Sequence, residues 1–291
     1  ISPNGDGVQD FLLVTQEVFG DGAWLVKITD SEGDRVWSEH LENANMTFQW
    51  DGRNERGTLV ADGQFTYELS AFDGAGNQYS SGPLGFMIDT RETSISLQTG
   101  GSHFSPNGDG VQDTLEIIPE LAVTDGIDWL QLDIADAAGT VWYRDTTDTA
   151  REAFSWTGLA DDGKAFPDGE YLVRLGVRYS NGNSVSTETD PITLDTIFPK
   201  IEASTEELVF SPDGDGLKDD LLIKQTSSVE DLWEAHFLDI DGKVVAAATW
   251  KGHVTDYRWD GTGVKDALVP DGRYEYEVTA TDAAGNSVVA R

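Results

Sequence analysis

The chain has 291 residues, with 53 Asp plus Glu against 19 Lys plus Arg, a formal net charge of −34 at pH 7. Charge of that sign repels nucleic acid and anionic lipid, so neither is expected as a partner, while divalent cations are attracted. There is no cysteine, which excludes a disulfide scaffold, thiolate metal sites and cysteine nucleophiles; the 10% aromatic content is that of an ordered globular chain.

The first element is a nonapeptide, Ser2-Pro-Asn-Gly-Asp-Gly-Val-Gln-Asp10. Trp24 to Ile28, the polar run Asp30 to Asp34 and then Val36-Trp37 read as strand, turn, strand. Trp50-Asp51-Gly52 follows, its tryptophan at a strand end before a glycine turn, where core or rim packing is expected rather than a ligand platform. After Asp62-Gly63 come Phe65, Tyr67, Leu69 and Ala71 at period two, a strand with one buried and one wet face. Asp73-Gly-Ala-Gly-Asn77 is the next turn, and Asp89-Thr90 closes the set.

The set is then repeated. The nonapeptide recurs at Ser105–Asp113 and, as Ser-Pro-Asp-Gly-Asp-Gly-Leu-Lys-Asp, at Ser211–Asp219. Trp156-Thr-Gly158 and Trp259-Asp-Gly261, Asp168-Gly169 and Asp271-Gly272, and the turns Tyr179–Asn183 and Asp282–Asn286 repeat in the same order. So do the period-two sets Tyr171, Val173, Leu175, Val177 and Tyr274, Tyr276, Val278, Ala280, and the hairpins whose first strands, Leu130 to Ile134 and Phe237 to Ile240, turn at Ala138-Gly139 and Asp241-Gly242. A spacing of about 100 residues is the length of one β-sandwich and too long for a solenoid unit. With no sustained 3.6 period, the expected fold is all-β: three tandem immunoglobulin-like sandwich domains over 1–90, 91–196 and 197–291. Because the chain starts one residue ahead of a nonapeptide and stops shortly after a Gly-Asn turn, it is expected to be a piece of a longer protein. The position where a corner tyrosine would enter the late strand is Phe65 in the first repeat, so a hydroxyl-dependent corner cannot hold in all three.

The nonapeptides place oxygen donors at alternate positions around glycines, the pattern a hard cation uses. Set against an EF-hand loop, the candidate metal donors are Asn4, Asp6, the Val8 carbonyl and Asp10; then Asn107, Asp109, Val111 and Asp113; then Asp213, Asp215, Leu217 and Asp219. The first ligand position is a serine in each, the twelfth is Leu13, Glu116 or Leu222, and a strand follows rather than a helix, so these are not EF-hands. Asp30, Asp136, Asp239 and Asp241 are candidates for supplementary oxygens. Two readings stand: about one calcium ion per repeat, or plain Pro/Asn/Gly/Asp turns that need no ion. Catalysis is not expected, since His40, His103, His236 and His253 do not recur at matching positions and no nucleophile or phosphate-cradling motif is present.

Phe-Ser-Pro-Asn-Gly-Asp-Gly-Val-Gln-Asp, then Trp-Asp-Gly, Asp-Gly-x-Tyr-x-Tyr and Thr-Asp-Ala-Ala-Gly-Asn, resembles bacterial extracellular immunoglobulin-like and fibronectin-III-like repeats. Close in pattern are the Ig-like domain associated with the flagellar hook-capping protein and the modules of cell-envelope subtilisin proteinases. The resemblance covers nearly the whole chain, and Asp89-Thr90 and Asp195-Thr196 resemble the junctions between such domains. Tyr179 departs from the family aspartate at the start of its turn. The resemblance implies an extracellular or bacterial cell-surface segment whose partners are the neighbouring domains of its own chain. Two functions fit it: a calcium-stiffened stalk or spacer, or an adhesin module recognising a host protein or a glycan, for which Trp142-Tyr143 and Trp250 are the candidate apolar contacts.

Overall fold

The computed structural model describes residues 1–18, 23–42, 47–264 and 267–291. All named elements are strands, and in each repeat two sheets, antiparallel except for the parallel pairing of His103–Phe104 with Ile192–Leu194, pack face to face over apolar side chains. In the first repeat the short sheet pairs Leu12–Thr15 with Thr47–Trp50. The larger one runs Arg35–Leu41, Ala23–Asp30, Gly63–Phe72 and Gln78–Ser80, with Leu84–Ile88 also paired to Gly63–Phe72. In the second repeat Leu115–Leu121 lies between Ile95–Thr99 and Phe154–Trp156, facing a sheet built on Ile127–Asp136 and Gly169–Tyr179. The third places Leu221–Ser227 between Ile201–Ser204 and Tyr257–Trp259, opposite Val244–Gly252, Glu230–Leu238, Glu275–Thr281 and Ser287–Ala290.

The period-two sets are the interior faces. Phe65, Tyr67, Leu69 and Ala71 are buried, as are Tyr171, Val173, Leu175 and Val177. In the third repeat the strand begins only at Glu275, so Tyr274 stands ahead of it. Its hydroxyl donates to the Pro270 carbonyl at 2.5 Å, as Tyr171 does to Pro167 at 2.7 Å. These are the corner tyrosines of repeats two and three, and Phe65 in the first repeat has no hydroxyl to make the bond. The strand Glu230–Leu238 likewise stops short of Ile240, which lies in the turn and is exposed.

Trp50, Trp156 and Trp259 are core residues, each at most 3% exposed. Each indole Nε1 donates to a carbonyl three residues on, Arg53, Leu159 or Thr262, so the ring is buried without stranding its polar atom. Each of the three first hairpins carries a register shift at the same place, between Ile28 and Thr29, Ile134 and Ala135, and Phe237 and Leu238. The bulge ends regular pairing just before an Asp-initiated turn.

Candidate functional site

The three nonapeptides fold into the same loop. The serine N–H donates to the carbonyl of the eighth residue, closing the loop at 2.9, 2.9 and 2.8 Å in chain order. That eighth residue, Gln9, Gln112 or Lys218, sits in the left-handed region at φ 52°, 49° and 57°. A non-glycine residue adopts that conformation only when its surroundings impose it. The imposition comes from the last aspartate. Asp10 Oδ1 accepts from Gly5 N at 2.7 Å and Oδ2 from Gly7 N at 2.8 Å, and Asp113 and Asp219 do the same for Gly108 and Gly110 and for Gly214 and Gly216.

The remaining side-chain oxygens are used in the same way. Asn4 Oδ1 accepts from Asp6 N and Asp6 Oδ1 from Val8 N, with the pattern kept at Asn107, Asp109, Asp213 and Asp215. The candidate donors therefore converge on one small loop, and each of these side chains already caps backbone N–H groups. Asp30, Asp136 and Asp239 cap their own hairpin turns, each accepting two backbone N–H bonds.

The proline fixes the loop to its own sandwich. A Cβ at Gly52, Gly158 or Gly261 would lie 2.7, 2.6 or 3.0 Å from Cγ of Pro3, Pro106 or Pro212, and all three glycines have positive φ. This explains why Ser-Pro and Trp-x-Gly travel together in the sequence: the second motif is the seat for the first.

The other side of the loop meets the next repeat. Asn4 Nδ2 donates to Asn183 Oδ1 at 3.1 Å, and a Cβ at Gly182 would fall 2.9 Å from Val8 Cγ1. One repeat further on, Asn107 Nδ2 and Ser105 Oγ both donate to Asn286 Oδ1, at 2.9 and 2.6 Å, and Gly285 lies under Val111 in the same way. Asn286 Nδ2 in turn donates to the Asp195 carbonyl at 2.9 Å. Asn183 and Asn181 reach the Arg91 and Asp89 carbonyls, at 3.4 and 3.3 Å. Thus the loop of one repeat, the Gly-Asn turn of the next and the segment connecting them form one joint, built twice.

The Asp-Thr pairs anchor the connecting segments. Thr90 donates through N and Oγ1 to Asp62 Oδ1, and Thr196 does so to Asp168. At the first joint Arg91 also binds Asp89 and Asp125, each at 2.8 Å. Its guanidinium holds both carboxyls below the usual carboxylate range. Ile197 occupies the corresponding place in the second joint and brings no charge there.

The role of the Gly-Asn turns was not read from sequence, although their recurrence in step with the nonapeptide was visible. The reading that assigned Val8 and Val111 through their carbonyls missed that their side chains pack on the next repeat. As cation donors the loops differ. In the third, Asp213, Asp215 and Asp219 each offer a carboxylate oxygen, all within 4.8 Å of one another. In the first two, asparagine replaces the first of these and turns its amide to the joint.

Fold and joint together define a tandem array of immunoglobulin-like sandwiches coupled loop to turn. Residues 22–89 match the family model of the FlgD Ig-like domain. The C5a peptidase of Streptococcus pyogenes serotype M3 is 31% identical over 87 residues, 24% of this chain; the chain spans only 7% of that curated relative. Among solved structures, a tetra-tandem repeat from the extending region of a large adhesion protein is 23% identical over 98% of this chain and 70% of that one, with a TM-score of 0.33. A structure from a 1.5-MDa bacterial ice-binding adhesin is 17% identical over 96% of this chain and 87% of that one, with a TM-score of 0.36.

Proposed function

We propose that the chain is a non-catalytic spacer within a larger bacterial surface or secreted protein, divided into repeats at 1–90, 91–196 and 197–291. Its joints are stiffened by the nonapeptide loops and by calcium bound to them. The observation that carries this reading is the docking of each of the first two loops onto the Gly-Asn turn of the following repeat. A spacer transmits length only if its joints resist bending, and here a side-chain network rather than a bare linker spans each joint. The separate apolar clusters, one in each of the first two repeats and two in the third, support the division.

Calcium fits the donor chemistry. The third loop offers three carboxylates, and the first two offer two carboxylates and an amide oxygen, all hard oxygen donors. An ion there would also lower the local share of the −34 charge. At free calcium of about 100 times Kd, one site would stabilise the folded repeat by ~2.7 kcal/mol. The test is a thermal melt with scattering, in calcium and in chelator. A higher melting temperature and a narrower spread of joint angles in calcium are expected; identical curves would remove calcium from the proposal and leave the loops as metal-free joints.

Recognition of a host protein or glycan is the other function the sequence raised; of its candidate residues Trp142 is 38% exposed, but both tryptophans are held by side chains of their own repeats. Trp142 donates to Asp136 Oδ2 at 2.9 Å and packs on Phe166, and Trp250 donates to Thr255 and packs edge-on to Tyr257. No helix among the described residues is long and apolar enough to cross a membrane.

A further inference from the structure

The chain holds three Asn-Gly bonds, Asn4-Gly5, Asn107-Gly108 and Asn181-Gly182, and all three lie in the joints. The first joint takes two, one in the loop and one in the turn. The second takes one, since its turn reads Ala284-Gly285. Asparagine before glycine is the pair most prone to lose its side-chain amide, because glycine has no Cβ and its nitrogen can swing back onto the asparagine Cγ. Here the same two bonds hold each pair out of that geometry. The glycine N–H is committed elsewhere: Gly5 to Asp10 Oδ1 at 2.7 Å, Gly108 to Asp113 Oδ1 at 2.6 Å and Gly182 to the Tyr179 carbonyl at 2.9 Å. The asparagine Oδ1 accepts from the N–H two residues on, of Asp6, Asp109 and Asn183, at 2.9, 2.9 and 3.0 Å. Asn181 and Gly182 are also buried.

We propose that these Asn-Gly bonds are latent deamidation sites, locked while loop and turn keep their closed form, and that their reaction loosens the joints irreversibly. In the reaction the glycine nitrogen gives up its proton and bonds to the asparagine Cγ, the Cγ–Nδ2 bond breaks and ammonia leaves. Water then opens the cyclic imide to an aspartate or an isoaspartate, so the sum is asparagine plus water to a carboxylate plus ammonia. The consequence for the joint is set by what the lost amide does. Asn107 Nδ2 donates to Asn286 Oδ1, and Asn4 Nδ2 to Asn183 Oδ1. Deamidation removes that donor and sets a carboxylate against an amide oxygen. Asn286 cannot turn to meet it without giving up the bonds of its own Nδ2 to the Asp195 carbonyl and Asp282 Oδ2. The loop itself accepts aspartate at this place, because Asp213 keeps the closure and every backbone cap of the third loop. The aspartate product therefore stays folded and loses the joint alone. It also gives the first two loops the three-carboxylate set of the third.

The inference rests on the joint geometry and is independent of calcium and of the spacer role. Its test is peptide mass spectrometry of the whole chain kept in warm neutral buffer, folded and in guanidinium. All three asparagines should convert in guanidinium, and each at least about tenfold more slowly in the folded chain, where reaction waits on local opening. Asp113→Ala frees the Gly108 N–H and should speed conversion at Asn107 about tenfold, with Asn4 and Asn181 in the same molecule keeping their slow rates. If Asn181 speeds up too, the second repeat has unfolded in that variant and the wild-type comparison decides. Asn107→Asp, the product made directly, should broaden the distance between labels at Ser186 and Lys251 across the second joint. Equal rates in the folded and unfolded wild type, wild-type rates throughout Asp113→Ala, or an unchanged narrow distance in Asn107→Asp overturns the inference. A narrow distance in Asn107→Asp beside a broad one in Asn286→Ala would overturn it while leaving the joint itself intact.

Discussion

Asn286 accepts the Ser105 hydroxyl at 2.6 Å across 181 positions of sequence, and both residues are fully buried. The bond ties the entrance loop of the second repeat to a turn of the third, so neither residue can be understood within its own repeat. Asn286→Ala leaves the hydroxyl of Ser105, the amide of Asn107 and the Asp195 carbonyl without this partner. A loss of about 1–3 kcal/mol is expected, read as an earlier unfolding transition in urea.

Gly158→Ala should cost about 2–4 kcal/mol, because a Cβ would fall 2.6 Å from Pro106 Cγ at a residue with φ of 71°. Gly139→Ala is the control. Its φ is 84° but a Cβ there meets nothing within 4 Å, so only the backbone cost of about 1 kcal/mol remains. Denaturant midpoints of the two variants separate the seat from the strain.

Tyr171→Phe and Tyr274→Phe should each cost about 1 kcal/mol by removing the bond to the proline carbonyl four residues upstream. Differential scanning calorimetry of the two variants checks this.

The first joint should loosen in acid. Asp89 and Asp125 have folded-state pKa values below their unfolded ones because Arg91 bonds to them. Their contribution is therefore fully present above the ordinary aspartate range and is lost as pH falls through the lowered folded values. Melting temperature followed against pH should show a steeper acid limb for the wild type than for Arg91→Ala. Equal limbs would show that the ion pairs do not couple to stability, as exposed pairs sometimes do not.

Calcium, if bound, should act most strongly on the third loop, where three carboxylates converge. Titration calorimetry of Asp215→Asn should show loss of the strongest binding phase, while Asp6→Asn should leave that phase intact.

Much of the fold was legible because its signals are local. Period two in Phe65 to Ala71 names the buried face, and a tryptophan before a glycine turn reads as packing; both hold in the structure. Where the strand ends depended on the bulge and on Asp239 capping its turn, so Ile240 falls in the turn rather than the strand. The loop was visible as a cluster of oxygens, but oxygens that bind a cation and oxygens that cap N–H groups share one pattern. What was hidden was the joint. Asn183 and Asn286 look like ordinary turn residues, and only the arrangement of two repeats in space shows that their amides face the preceding loop.

The most direct test is a distance measurement across the second joint. The chain has no cysteine, so one label each at the exposed positions Ser186 and Lys251 can be placed without background. Pulsed dipolar spectroscopy in millimolar calcium should give one narrow distance for the otherwise wild-type chain and a broad distribution once Asn286→Ala is added. A broad distribution in the parent, or an unchanged narrow one in the variant, would contradict the claim that loop-on-turn docking fixes the joint between repeats.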